Sequence, residues 1–68
     1  MSRFELVARG GGWQLIDAGK LSFWFPEREK ALETVTMMAD ARSLLHRIPT
    51  AVLAENDLGE MELVASFG

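Results

Sequence analysis

Four places in this chain hold residue types that could do chemistry. Gly10, Gly11 and Gly12 run consecutively, and a glycine run that leads into a helix can cradle a phosphate through its backbone N–H groups. No Gly-Lys-Ser or Gly-Lys-Thr closes this run and a strand pattern follows it, so it reads as a reversing loop. Glu55, Asp57, Glu60 and Glu62 put four carboxylates within eight residues, with Asn56 among them. Their spacing departs from the EF-hand ligand set, and an Asx-rich stretch between two apolar runs is an ordinary hairpin turn. His46 could act as a general base, yet the hydroxyls of Ser2, Ser22, Thr34, Thr36, Ser43, Thr50 and Ser66 stand in no nucleophile motif. A histidine at the negative end of a helix dipole is the simpler reading. Trp13 and Trp24 could stack bases on a sheet face, but their neighbours are acidic as often as basic. No catalytic residue, cofactor-binding residue or metal ligand is assigned on these grounds, and no cofactor is expected. A chain this short does not enclose a pocket of about 300 Å³ without a partner, so the expectation is a protein that is not an enzyme.

The bulk properties point toward association. With 68 residues, the chain forms one small domain that buries only about 60% of the surface its unfolded form exposes. It contains no cysteine and a single histidine, so neither disulfides nor a zinc site of the usual kind adds stability. Hydrophobic residues make up 49% of the sequence, too many for disorder and more than one small core absorbs. Oligomerisation, most simply a homodimer, is the remaining source of stability. Seven Lys and Arg against ten Asp and Glu give a net charge of -3, with the cations spread from Arg3 to Arg47. That balance disfavours nucleic acid and anionic lipid as partners. No apolar run approaches the roughly 20 residues of a membrane span, and the first nine residues alternate like a strand rather than a secretory core. No membrane association and a cytoplasmic address are the expectations.

The elements that must position these residues follow from periodicity. Residues 3–8 alternate with period two, residues 13–17 alternate again, and residues 20–25 form an aromatic-rich run, which together predict a three-stranded meander. Ala18-Gly19 is the tight connection between the second and third strands. Residues 26–47 predict one long helix, with Pro26 in the first turn, Glu27 and Glu29 at the positive dipole end, and Pro49 beyond the last turn. Residues 50–54 and 60–67 predict a closing hairpin about the turn at 55–59. The expected fold is α+β, ββ(β)αββ, an antiparallel sheet of four to five strands with one long helix packed on one face. Residues 1–68 form a single domain.

Two apolar surfaces exceed what that fold covers. On the helix, Ala31, Leu32, Val35, Met38, Ala39 and Leu45 form the sheet-facing sector. A second stripe, Met37, Ala41 and Leu44, extended by Ile48, lies beside it. Twenty-two helical residues span roughly 33 Å against roughly 20 Å for a six-residue strand. The helix is therefore expected to overhang by about two turns or to break near residues 39–41. Arg42 and His46 fall in the sheet-facing sector, where burial without a partner is costly. On the sheet, Phe4, Trp13, Phe23 and Phe25 share the helix-facing side with Leu6, Leu15, Leu21 and Leu63. Trp24 has the opposite parity, and with Val7, Ile16, Leu53 and Val64 it forms an outer apolar row flanked by Arg3, Glu5, Gln14 and Glu62. An aromatic-centred apolar patch with a polar rim has the make-up of an interaction site. The expected interface residues are thus Met37, Ala41, Leu44, Ile48, Trp24, Val7, Ile16 and Val64.

Several short features occur in an order that resembles the small bacterial domain-of-unknown-function family 2188. They are the glycine loop after the first strand, the Gly12-Trp13 pair, Phe25 before a Glu/Lys-rich helix start with Lys30-Ala31, the Asn56-Asp57-Leu58-Gly59 turn and the closing Ser66-Phe67-Gly68. The resemblance implies a compact helix-on-sheet protein and no assigned activity. This chain departs from it in being acidic, in having Phe67 where the family has tyrosine, and in a longer helix whose residues 37–47 have no counterpart. The functional expectation is a non-enzymatic protein–protein interaction module that self-associates through surplus apolar surface. A small nucleic-acid-binding regulator is the alternative.

Overall fold

The computed structural model describes Met1–Gly68. Its elements are β1 (Ser2–Arg9), β2 (Gly12–Asp17), β3 (Lys20–Phe25), α1 (Arg28–His46), β4 (Thr50–Glu55) and β5 (Met61–Phe67). They build an α+β fold in which one five-stranded sheet, in the order β3-β2-β1-β4-β5, carries α1 on one face.

The meander forms through turns that local chemistry dictates. Gly10 and Gly11 take φ of 60° and 78°, two successive positive values that reverse the chain with the twist an antiparallel pair needs. Gly12 belongs to β2 rather than to the loop. Ala18 and Gly19 repeat the geometry at φ of 51° and 83°, so a Cβ-bearing residue occupies a left-handed position there. In the last hairpin Asn56 makes the turn, its Oδ1 accepting from the backbone N–H of Leu58 at 2.9 Å and of Glu60 at 3.0 Å.

The sheet is mixed rather than antiparallel, which corrects the expectation. β1 and β4 pair in parallel, with Phe4 beside Val52 and Leu6 beside Ala54, while the other three pairs are antiparallel. The cause is the helix: α1 carries the chain back along the sheet, so β4 starts from the same end as β3 and β1. The free edge of β1 then receives it.

α1 is also shorter than predicted and continuous through residues 39–41. Pro26 precedes it, Glu27 is its N-cap with extended backbone and no side-chain cap bond, and Arg47 closes it in the left-handed conformation at φ 55°. Its 19 residues span roughly 28 Å, so the overhang past a six-residue strand is roughly one and a half turns. Ala31, Val35 and Ala39 are buried against Phe4, Leu6, Leu15, Val52 and Ala54. Two of these three contact residues are alanine, which lets the helix axis lie close to the sheet. After Ala39 no helix residue is buried, and Leu45, expected to face the sheet, is 76% exposed. No helix is long and apolar enough to cross a membrane.

Candidate functional site

The face of the sheet opposite α1 carries no element, and two bulges decide what it displays. Between β2 and β3, Gln14 pairs with Trp24 but Ile16 pairs with Leu21, so Ser22 and Phe23 together oppose Leu15. Between β4 and β5, Val52 pairs with Ala65 and Leu53 with Leu63, leaving Val64 without a partner. An extra residue inverts the parity of everything beyond it. Leu21 and Leu63 therefore sit on the open face, 63% and 62% exposed, and not in the core where simple alternation puts them. Phe23 is exposed too, whereas Trp13 and Phe25 pack half-buried against the core.

The registers line up one row across all five strands. Leu21 on β3 neighbours Ile16 on β2, Ile16 neighbours Glu5 on β1, Glu5 neighbours Leu53 on β4, and Leu53 neighbours Leu63 on β5. Four aliphatic residues thus flank one carboxylate on the central strand. The adjacent row toward the start of β1 is Arg3, Ala51 and Ser66, and the Arg3 guanidinium lies 3.7 Å from the Glu5 carboxylate. Between the two rows runs an open groove of about 500 Å³ lined by Met1, Arg3, Ala51, Leu53 and Leu63. Four of its five lining residues are hydrophobic and Arg3 is the one charged side chain, so the groove suits apolar contact.

Trp24 stands at the far end of this face. Its Nε1 donates to the Arg9 carbonyl at 2.9 Å, and its ring crosses Gly12 so closely that a Cβ there would lie 2.3 Å from Cζ2. Glycine at position 12 is thus required by the indole and by the Phe25 carbonyl oxygen beside it rather than by the turn. Val7 and Ile16 are half-buried on the same face, and Val64 is exposed at its bulge. Gln14, expected at a polar rim, is only 9% exposed. Its Nε2 lies 2.9 Å from the Ser22 carbonyl, 3.2 Å from that of Phe23 and 3.0 Å from that of Leu15, donating into the ladder the bulge has opened. Glu62, also expected at that rim, pairs with Ala54 and accepts from Asn56 Nδ2 at 3.0 Å.

The other expected interface residues form a separate surface. Met37, Ala41, Leu44 and Ile48 are all exposed, Leu44 at 72%, but they lie on α1 and just beyond it, on the opposite side of the sheet. Beneath the overhang is a cleft of about 280 Å³ lined by Phe4, Met38, Ala41, Arg42, Leu45 and His46. Arg42 closes its floor. Its two terminal nitrogens bind the two Asp17 oxygens at 3.0 and 2.9 Å, Nη1 also donates to Ser2 Oγ at 2.6 Å, and the guanidinium lies over the Phe4 ring at 4.4 Å. The sequence marks Arg42 as needing a partner; Asp17, 25 residues earlier, is that partner. The hydrogen bond from Arg42 holds the Asp17 carboxyl below the usual carboxylate range, outweighing partial burial, with the charges of Arg42 and Lys20 adding to it. Arg42 is held more firmly protonated by the same bond.

The remaining candidates are dispersed. Trp13 is half-buried with Arg28 over its ring at 5.2 Å, which occupies the face a base would stack on. The carboxylates of the last hairpin do not converge, and no three His, Asp or Glu side chains come together anywhere in the fold. His46 is exposed beside the cleft. Nothing in the residues before the bulges signals them except adjacent bulky apolar residues, Phe23-Trp24-Phe25 and Leu63-Val64, that cannot all alternate. Comparison with family models, curated proteins and solved structures finds no match to this chain.

Proposed function

We propose that this protein is a non-enzymatic interaction module that self-associates, and that its contact surface is the open face of the sheet. The observation that carries the reading is the row Leu21, Ile16, Leu53 and Leu63, which runs the full width of the sheet beside an apolar groove and has no covering element. The core supports it as well. Only 12 of 68 residues are buried, so apolar surface left in water is large relative to what folding removes, and its burial at about 25 cal/mol per Å² favours association.

Of the two surplus surfaces, the sheet is the better contact. It extends across five paired strands, whereas the helix stripe is one residue wide and runs out onto an overhang. Light scattering on the purified protein and two variants separates them. Leu63→Glu on the sheet should dissociate the assembly, Leu44→Glu on the helix should leave it intact, and the reverse result would move the interface to α1.

A further inference from the structure

We propose that self-association through the open face is linked to protonation of Glu5, so that the closed dimer holds this carboxyl neutral and the assembly tightens as pH falls. The inference rests on the self-association reading and adds its regulation. Glu5 stands at the middle of the candidate row, with Ile16 and Leu21 on one side and Leu53 and Leu63 on the other. At about 4.8 Å per strand the row is roughly 19 Å wide, with the carboxylate at its centre.

A second copy cannot use the row without covering that carboxylate. Two strands on one flank, roughly 10 Å across and 20 Å long, bury only about 400 Å² over two copies, well short of the roughly 1,000 Å² of a specific interface. Both flanks must therefore be in contact, and β1 between them is covered whichever way the second copy is turned.

In the single chain the charge on Glu5 is solvated by water. Its side chain is 30% exposed, and its one ion-pair partner, Arg3, approaches only to 3.7 Å, beyond the roughly 2.7–2.9 Å of a charge-assisted hydrogen bond. Arg3 is itself 58% exposed at the rim of the groove, so it offsets a small part of the cost of burial. The other charged groups on this face do not replace the lost water. Glu55, two residues beyond Leu53, is acidic and accepts from the Ala8 N–H at 3.0 Å, and Arg9 lies four residues along β1, roughly 13 Å away. By register β2, β3 and β5 present only uncharged side chains here, and Met1 brings the terminal amino group to the groove. Stripping water from a carboxylate among aliphatic side chains disfavours its charged form. Whatever favours the neutral form on association makes the neutral form associate better, so closing the contact takes up protons.

Sedimentation equilibrium of the full chain at about pH 7 and about pH 5 tests this, with circular dichroism verifying the fold of each variant. Acid also lessens the net charge of -3 and with it the repulsion between copies. Glu60→Gln, at an exposed position in the last hairpin, is the control for charge alone. The wild type and Glu60→Gln should dimerise at least about tenfold more tightly at the lower pH. Glu5→Gln, which is neutral at both, should dimerise at the higher pH at least about tenfold more tightly than either and change less than about threefold between the two. A Glu5→Gln variant no tighter than Glu60→Gln at the higher pH, or one that keeps the full response to acid, overturns the linkage and leaves self-association standing. Absence of a dimer in both the wild type and Glu5→Gln at either pH overturns both.

Discussion

Replacing Arg42 by alanine removes the ion pair between the helix and the sheet, and the structure sets how much that should cost. Two charge-assisted bonds to Asp17 at 2.9 and 3.0 Å, one to Ser2 at 2.6 Å and the contact with the Phe4 ring are lost together. A buried pair broken in this way costs about 3–5 kcal/mol and an exposed one about 0–1. The two side chains are 28% and 30% exposed, between these limits, so Arg42→Ala should cost about 2 kcal/mol. In a chain of 68 residues with total stability of roughly 3–10 kcal/mol, that lowers the melting temperature by about 10 °C. Arg42→Lys should recover less than half, since an ammonium makes neither the two-pronged bond nor the stacking contact. Denaturant unfolding at fixed protein concentration measures these losses, and a cycle with Asp17→Asn should give a coupling of about 1 kcal/mol.

The same pair predicts a pH dependence. The folded pKa of Asp17 is lowered, so at acid pH the unfolded chain binds the proton more readily than the folded one. The stabilisation is fully present above the unfolded value near 3.9 and disappears as pH falls through the lower folded value. The stability gap between wild type and Asp17→Asn should be constant from neutral pH to about 5 and close below about 4. Arg42→Ala within about 0.5 kcal/mol of wild type, or a gap that does not change with acid, would refute the reasoning.

Two further substitutions probe the devices that shape the open face. Gly12→Ala places a Cβ 2.3 Å from Trp24 Cζ2 and 2.4 Å from the Phe25 carbonyl oxygen; it should destabilise by about 2–3 kcal/mol and shift Trp24 fluorescence as the indole is displaced. Gln14→Leu strips the donor from the Ser22 and Phe23 carbonyls and should cost about 1–2 kcal/mol, with amide exchange accelerating in β3 ahead of the other strands.

What the sequence made legible was local. The meander, the helix and the closing hairpin follow from alternation, from the Gly10-Gly11 and Asn56-Gly59 turns, and from the prolines that bracket α1. Parity also placed Val7, Ile16, Leu53 and Trp24 on the outer face. What it hid depends on pairing between distant segments. The parallel β1–β4 pair arises only because α1 returns the chain to its starting end. The bulges at Ser22-Phe23 and at Val64 carry no glycine, so Leu21 and Leu63 read as core when they are the exposed ends of the candidate row. Gln14 reads as a surface residue because the carbonyls it satisfies exist only once the bulge has formed. Arg42 was recognisably expensive on the sheet-facing side of the helix, but no periodicity could name Asp17 as its partner.

The central claim is that the bare face of the sheet is a contact surface between copies of this chain. Light scattering of the wild type beside Leu63→Glu, from low to high micromolar concentration, tests it most directly. The structure-based expectation is a wild-type mass of twice 7.6 kDa at the upper concentrations and a monomer for Leu63→Glu throughout. A wild type that stays at 7.6 kDa across the range, or a Leu63→Glu variant that dimerises equally well, would contradict it.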